Sequence, residues 1–185
     1  MFHVKQKYDV IVVGAGHAGV EAGAMASRLG MKAAIVTFDT RDIGTLSCNP
    51  AMGGLGKGHL IKEIDALGGL IGIASDKSGI QFRMLNKTRG AAVQGPRAQI
   101  DRNLYKRSMM NLLKKENIEI IEDEVEDIKI ETFKGNINVS GIALVKHGIL
   151  SCKSVIITTG TFLGGKIYRG KESWEAGRLR CKPSI

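Results

Sequence analysis

Apolar runs and small-residue stretches alternate near the start of the chain, and this order is typical of an α/β protein. Val10 to Val13 is a continuous apolar run, which predicts a buried strand. Ala18 to Leu29 is rich in small residues and predicts a helix that ends with Gly30 as its C-cap. Lys32 to Thr37 predicts a second buried strand. Because one helix connects the two strands, we expect them to lie parallel, with a right-handed crossover.

The middle of the chain predicts two more helices and an irregular segment. His59 to Leu67 is predicted to be helical and to end at a glycine pair, Gly68-Gly69. Ile71 to Gly95 carries scattered glycine and basic residues and is predicted to be irregular. Asp101 to Glu116 predicts a longer helix with one apolar face. The residues assigned to that face are Ile100, Leu104, Met109, Leu112 and Leu113.

Strand patterns return in the last third of the chain. Ile118 to Ile121 predicts a short strand, and the alternation in Val125 to Glu131 and Asn136 to Val145 predicts a small antiparallel set. Val155 to Thr159 predicts a further buried strand. Lys166 to Ile185 has little periodicity, so we expect a fold that is incomplete at its C-terminus. The whole pattern predicts a Rossmann-like α/β fold with a parallel sheet and a small antiparallel β insertion.

A glycine-rich turn, Gly14 to Gly19 (GAGHAG), joins the first strand to the first helix. Gly14 permits the sharp turn, Gly16 leaves room for a diphosphate, and Gly19 lets the helix lie close to the sheet. The helix N-terminus adds unpaired N–H groups and a partial positive charge. In this context the turn predicts a dinucleotide site and leaves FAD and NAD undecided. The competing interpretation is a glycine-rich turn of another α/β fold. His17 either touches phosphate, packs within the protein or meets solvent.

The end of the second strand departs from the simplest dinucleotide fingerprint. In many such folds an acidic residue there binds the adenosine ribose. Here the first acid, Asp39, comes only after Thr37 and Phe38. Either Asp39 reaches the ribose or another contact serves. No lysine or arginine replaces the acid, so nothing favours a phosphorylated ribose.

Composition and charge narrow the class of protein. The chain has 185 residues, enough for one sizeable domain, and a net charge of +9. Arg83 to Lys115 holds nine Lys/Arg and one acid, whereas Glu116 to Glu131 holds eight acids and one base. The basic segment suits a polyanion such as RNA, and it equally suits a solvated helix and loop or an internal interface.

The cysteines and the apolar runs suggest a cytoplasmic protein. Cys48, Cys152 and Cys181 are isolated, which argues against a disulfide framework and a zinc site. No signal-peptide region and no apolar run of about 20 residues is present, so we expect no membrane segment.

Cys48 is the residue best suited to nucleophilic chemistry. The proline that follows Asn49 restricts that residue to an extended or turn conformation, and a run of glycines comes next. A thiolate of lowered pKa adds readily to an electrophilic ring carbon. The competing interpretation is a small buried thiol in a loop.

Four stretches of the chain form a family pattern: VVGAGHAGVEA, LSCNPAMGGLGKGHLIKEIDALGG, GIQFRMLNKTRG with PRAQIDR, and ITTGTFLGGKI. Together they resemble the GidA (MnmG) family of flavin-dependent tRNA-modifying enzymes. They occur in the family's order over nearly the whole chain, and the SCNP segment is the most specific. The resemblance implies that residues 1–185 are the N-terminal part of an FAD-binding domain. The family's NADH-binding insertion and C-terminal helical domain are then absent from this chain.

The resemblance also implies roles for single residues. Val125 matches a position whose backbone meets the adenine, Ser184 matches one that contacts FAD, and Cys48 matches the family's N-terminal functional cysteine. The residues that match the FAD diphosphate loop are Gly14, Ala15, Gly16, His17, Ala18 and Gly19. Two places depart from the family pattern: Ala91 stands where proline is usual, and residues 180–182 replace the middle of the tail motif.

The resemblance implies a reaction in which small molecules supply electrons, a carbon unit and nitrogen to modify a tRNA base. NADH reduces FAD, and a one-carbon unit passes from methylenetetrahydrofolate to C5 of the wobble uridine, with glycine or ammonia supplying the aminomethyl group. The implied partners are tRNA and the GTPase MnmE, and the full-length protein is expected to be a homodimer. Candidate tRNA or folate contacts are Arg83, Lys87, Arg89, Arg97 and Arg102. This chain alone is expected to be inactive.

Two other functions stay open at the level of sequence. One is a folate-dependent tRNA uridine methyltransferase of the TrmFO type, although the segment from Thr37 to Thr40 lacks that group's usual Glu-Met-Arg-Pro. The other is a non-catalytic FAD-binding module that docks tRNA or a protein partner.

Overall fold

A computed structural model describes residues 7–46, 49–161 and 163–177 of the chain. Eleven strands and four α-helices lie in these ranges. The strands are β1 Lys7–Val13, β2 Ala33–Thr37, β3 Ala51–Gly53, β4 Gly79–Leu85, β5 Gly95–Ile100, β6 Ile118–Glu122, β7 Val125–Phe133, β8 Asn136–Leu144, β9 Gly148–Ile157, β10 Lys166–Arg169 and β11 Glu172–Glu175. The helices are α1 His17–Arg28, α2 Lys57–Ala66, α3 Leu70–Asp76 and α4 Arg102–Leu113.

The central sheet has six strands in the order β6-β2-β1-β9-β8-β7. β6, β2, β1 and β9 are parallel, and β8 and β7 continue the sheet in antiparallel pairing. β9 is shared by both parts, because residues 148–151 pair with β8 and residues 151–157 pair with β1. The predicted parallel unit and antiparallel set are therefore confirmed, although the antiparallel strands extend the main sheet.

Alternation along β1 and β2 divides the core between the two faces of the sheet. Val12 and Ile35 face α1, α3 and α4, whereas Ile11 and Val36 pack with residues of β6, β8 and β9. All four side chains are fully or almost fully buried. Short apolar runs with both faces buried are typical of parallel strands covered on both sides.

The prediction that residues 71–95 are irregular is wrong. The helix α3 occupies the start of this segment, β4 follows, and Ala91–Val93 forms a short 3₁₀ helix. β4 joins β5 and β3 in a three-stranded antiparallel sheet of order β3-β5-β4. The sequence signal was weak because β3 has three residues and the apolar residues of β4 are exposed, so burial does not reinforce their alternation.

Two predictions of burial need correction. Leu104 was assigned to the buried face of the fourth helix, but it is 43% exposed, and Tyr105 is the fully buried residue there. The strand predicted for residues 155–159 is the end of β9 and stops at Ile157. Ile157 is 57% exposed because β8 pairs only with the first residues of β9 and leaves this end without a neighbour on that side.

No helix in the described ranges is both long and apolar enough to cross a bilayer.

Candidate dinucleotide-binding site

The glycine turn lies at the carboxyl edge of the sheet, between the ends of β2 and β9. The Gly14 N–H donates to the carbonyl oxygen of Val36 over 2.8 Å. On the other side, the Thr158 N–H donates to the carbonyl oxygen of Val13, also over 2.8 Å. The Thr158 hydroxyl donates to the same oxygen at 2.8 Å and approaches the Gly14 oxygen at 3.1 Å. Ligands of open α/β sheets bind at this edge.

The three glycines of the turn have different surroundings. Gly14 has φ of +103°, and a Cβ there would lie 2.5 Å from the carbonyl oxygen of Thr158. A Cβ on Gly19 would overlap the Gly14 oxygen and lie 2.7 Å from the Thr158 hydroxyl. Within the described ranges, no atom lies within 4 Å of the place of a Cβ on Gly16. Gly14 and Gly19 are therefore required by the fold itself, while the space beside Gly16 is open to a ligand.

The N-terminus of α1 has no side-chain cap. Gly16 is the N-cap residue, in an extended conformation, and no side chain of the described residues caps the first turn. Gly16 and Ala18 are exposed, and Ala15 is buried. Uncapped N–H groups at the positive end of a helix bind phosphate oxygens well. This arrangement fits the diphosphate of a dinucleotide.

The side chain of His17 packs against the fourth helix. Its ring lies 5.7 Å from the ring of Tyr105 on α4, centroid to centroid, at an interplanar angle of 56°. Burial, together with the positive charge of Lys57, lowers the pKa of His17 to about 4. The imidazole is therefore neutral near pH 7, and its contact with Tyr105 is one that the sequence did not indicate.

Asp39 is held by its own neighbour. Its carboxylate accepts hydrogen bonds from the Arg41 backbone N–H at 2.7 Å and from the Arg41 guanidinium at 2.6 and 2.9 Å. These hydrogen bonds, those from the guanidinium first, lower the pKa of Asp39 to about 2. Asp39 therefore caps its own turn and pairs with Arg41 at the surface.

Val125 lies near the same edge of the sheet. It begins β7 and pairs with Leu144 of β8. Two residues earlier, the Asp123 N–H donates to the carbonyl oxygen of Thr37 at the end of β2, over 2.9 Å. This bond brings the start of β7 to the carboxyl end of the parallel strands.

Two predicted site residues, Cys48 and Ser184, lie outside the described residues. The described residues on either side of Cys48 are anchored on the core. Leu46 is buried, and the Gly44 N–H donates to the carbonyl oxygen of Ala15 in the glycine turn over 3.0 Å. On the other side of the loop, the Pro50 oxygen accepts a hydrogen bond of 2.7 Å from the Ile100 N–H.

The basic residues that the sequence singled out lie mainly on the three-stranded sheet and its connections. Arg83 of β4 stands directly opposite Arg97 of β5 in the antiparallel pairing. Lys87 and Arg89 are exposed in the connection between these strands, and Arg102 is exposed at the start of α4. Like charges directly across two strands disfavour the pairing unless an anion or an acidic group balances them.

A groove of about 460 Å³ lies beside these arginines, between α2, α3 and the three-stranded sheet. Met52, Ile61 and Phe82 are among its apolar lining residues. Lys62 and Asp65 of α2 add charges of both signs. The groove is mainly apolar and does not include the glycine turn.

The described residues hold no group of three or more His, Cys, Asp or Glu placed to bind a metal ion. Cys152 is a free, buried thiol in β9, and burial raises its pKa. A raised pKa disfavours the reactive thiolate.

The parallel β1–α1–β2 unit, with an open glycine turn at its carboxyl edge, is typical of dinucleotide-binding α/β proteins. The family model described as glucose inhibited division protein A matches residues 9–185, and the chain belongs to this family.

Relatives within the family agree in sequence and in structure. The tRNA uridine 5-carboxymethylaminomethyl modification enzyme MnmG of Zymomonas mobilis subsp. mobilis (strain ATCC 31821 / ZM4 / CP4) is 46% identical over 183 residues, which are 98% of this chain and 29% of that protein. Two crystal forms of Aquifex aeolicus GidA match with TM-scores of 0.89. They are 44% and 43% identical, and the matches cover 96% and 97% of this chain and 29% of theirs. The chain thus spans about three tenths of these relatives.

A more distant match shows the fold alone. The GidA-related protein from Thermus thermophilus has a TM-score of 0.63 at 18% identity, over 96% of this chain and 64% of that protein.

Proposed function

We propose that this chain is the FAD-binding N-terminal part of an enzyme that forms the carboxymethylaminomethyl or aminomethyl group at C5 of the wobble uridine in tRNA. The observation that carries the proposal is the open glycine turn at the carboxyl edge of the sheet, in a chain 46% identical to MnmG. Because the chain spans 29% of that relative, it is proposed to bind FAD and to require further protein for the complete reaction.

The residues present fit the diphosphate half of FAD. Among the residues that the structure describes, none caps the first-turn N–H groups of α1 by a side chain, and none fills the position beside Gly16. Gly14, Ala15, Gly16, His17, Ala18 and Gly19 are proposed to form the diphosphate loop, with His17 contributing its backbone N–H. Val125, near the same edge, is proposed to meet the adenine, and Ser184 to contact FAD elsewhere.

When bound, FAD would supply the redox chemistry, taking reducing equivalents from NADH and carrying the one-carbon unit from methylenetetrahydrofolate. The chain's own residues would hold the diphosphate and orient the cofactor. A cysteine thiolate of the complete enzyme, with Cys48 as the candidate in this chain, would add to C6 of the uracil and so make C5 nucleophilic.

The tRNA is proposed to meet the basic residues of the three-stranded sheet and α4. Arg83 and Arg97 stand opposite each other, and a phosphate between them would offset their repulsion. Lys87, Arg89 and Arg102 extend the positive charge across exposed positions. The GTPase MnmE and a second copy of the chain are the proposed protein partners of the complete enzyme.

A titration with FAD tests the cofactor assignment. Wild-type chain should bind FAD, measured by the change in flavin fluorescence. Gly16→Ala should raise the Kd by about tenfold or more, because a methyl group enters the space proposed for the diphosphate. Gly90→Ala is the matched control, because its Cβ also meets open space at an ordinary φ of −59°. Equal affinity of all three proteins for FAD would contradict the proposed position of the diphosphate beside Gly16. No binding by any of them would contradict the assignment of FAD as the cofactor.

A labelling experiment on the complete gene product tests the reaction. Carbon-labelled methylenetetrahydrofolate should place label in an aminomethyl-type group of the wobble uridine, and Cys48→Ser should abolish labelling while FAD stays bound. Label recovered as a methyl group elsewhere in the tRNA would instead favour the TrmFO-type reaction.

A further inference from the structure

Three buried polar atoms in the described part of the chain have no hydrogen-bond partner from the protein: His17 Nε2, Tyr105 Oη and Ser108 Oγ. His17 and Tyr105 are in ring contact. Ser108 follows Tyr105 by three residues in α4, and residues at this spacing lie on the same side of a helix. The unpartnered atoms of His17 and Tyr105 therefore lie where the start of α1 meets α4.

Buried polar atoms are almost always hydrogen-bonded in native proteins, because leaving them unpaired costs stability. None of these three groups carries a charge near pH 7. The pKa of His17 is lowered to about 4 by burial and Lys57, and burial with the charge of Glu21 raises the pKa of Tyr105. Each neutral group can donate or accept a hydrogen bond. A water molecule has the size and the mixed donor and acceptor character to serve such groups.

We propose that buried water bridges His17 Nε2 to the Tyr105 hydroxyl, and that this bridge makes both side chains positioning residues for the dinucleotide turn. The inference rests on the proposed FAD site. His17 is the first residue of α1, directly after the N-cap Gly16. Anchoring its ring fixes the direction of its backbone N–H, one of the donors left open in the first helical turn.

A second contact connects the glycine turn to α4. The Ala15 oxygen accepts a hydrogen bond from the Gly44 N–H, and Gly44 in turn packs closely on Met109 of α4. Met109 lies one helical turn after Tyr105 and is fully buried. The glycine turn therefore reaches α4 by two routes, through Gly44 to Met109 and through the ring contact of His17 with Tyr105.

Four variants of the protein, in the complete form that its gene encodes, test the proposal by FAD titration. Tyr105→Phe removes only the hydroxyl and should raise the FAD Kd about threefold to tenfold, the loss typical of one hydrogen bond. His17→Leu should raise it at least as much, and His17→Gln, which keeps a polar group at similar reach, should recover most of the affinity. Tyr8→Phe is the matched control: Tyr8 is also buried, and its hydroxyl donates to Glu119 at 2.7 Å.

A spectroscopic measurement separates positioning from general stability. The ¹⁵N shifts of the His17 ring should show a hydrogen-bonded Nε2 in the wild type and change in Tyr105→Phe, but not in Tyr8→Phe. FAD affinities within twofold of wild type for Tyr105→Phe and His17→Leu, or an unchanged His17 signal, would overturn the proposal. If wild type itself does not bind FAD, the proposed function fails, while the ¹⁵N comparison still decides the water bridge.

Discussion

At the scale of single residues, Asp123 shows how a buried carboxylate joins distant parts of the fold. It is 2% exposed and accepts hydrogen bonds from the His147 ring at 2.6 Å and from three backbone N–H groups. Those N–H groups belong to Glu124, Lys146 and His147. Asp123→Asn replaces one acceptor oxygen by a donor, so we expect the free energy of unfolding to fall by about 2 kcal/mol at pH 7, measured by urea denaturation.

The effect of Asp123→Asn should depend on pH. Burial alone would raise the pKa of this carboxyl, but hydrogen bonds from His147 and the backbone outweigh it, and the pKa is lowered. The unfolded-state pKa of an Asp carboxyl is about 3.9, and the folded-state pKa of Asp123 is lower. The ionised carboxylate therefore contributes its full stability above about pH 4, and this stability is lost as the pH falls through the folded-state pKa. The difference between wild type and variant should therefore shrink below about pH 4. Asp127→Asn, which removes an exposed ion pair with Lys129, is the control and should show no measurable change.

Substitutions at Gly19 and Gly16 should distinguish the structural role of the glycine turn from its binding role. A Cβ at Gly19 would overlap the Gly14 oxygen and crowd the Thr158 hydroxyl. Gly19→Ala should therefore lower the midpoint of urea unfolding, by about 1–3 kcal/mol in free energy, because the helix must move away from the sheet. Gly16→Ala, with open space at its Cβ, should unfold like wild type. Equal destabilisation by both substitutions would contradict this division.

The residue-scale predictions from sequence succeeded where the cause is local. The separate roles of Gly14 and Gly19 follow from the geometry of one tight turn. The contact of His17 with Tyr105 and the burial of Asp123 depend on helices and hairpins that come together only in the folded chain. Asp123 sits in a run of eight acids, which gives no sign that one of them is buried.

At the scale of elements, α4 supports the site and depends on its N-cap. The Asp101 carboxylate accepts hydrogen bonds of 2.8 Å from the N–H groups of Asn103 and Leu104. Asp101→Ala should lower the free energy of unfolding by about 1 kcal/mol. Asp101→Ser, which keeps a capping oxygen, should recover most of that loss. Thermal or urea unfolding of the three proteins measures the effect, and a Ser variant as unstable as the Ala variant would argue against capping.

Elements with a strong internal pattern were predictable, and those that depend on partners were not. β1, α1 and β2 lie within a few residues of the predicted bounds. The three-stranded sheet was missed because β3 is only three residues long and β5 contains Pro96. Its strands are defined by pairing with one another, since the three residues of β3 and the proline in β5 give no strand pattern of their own.

At the scale of the whole molecule, two groups of exposed apolar side chains lie where a strand lacks a neighbour. Ile156 and Ile157 lie at the end of β9 that β8 does not reach. Ile80, Phe82 and Met84 alternate along β4, the edge strand of the small sheet. Exposed apolar edge strands favour association between chains. The net charge of +9 opposes association, so self-association should grow as salt screens that charge.

The edge strand β4 should be the main site of this association. Ile80→Lys places a charge on the edge, so the 185-residue chain should associate less at high concentration, measured by sedimentation equilibrium. Its unfolding midpoint should stay unchanged, because Ile80 is already 66% exposed. Leu29→Lys is the matched control, since Leu29 is also 66% exposed but follows the end of α1, away from the edge. If the two variants reduce association equally, the added charge is responsible and not the edge of β4. A reduction confined to Ile80→Lys identifies β4 as the strand through which the chains associate.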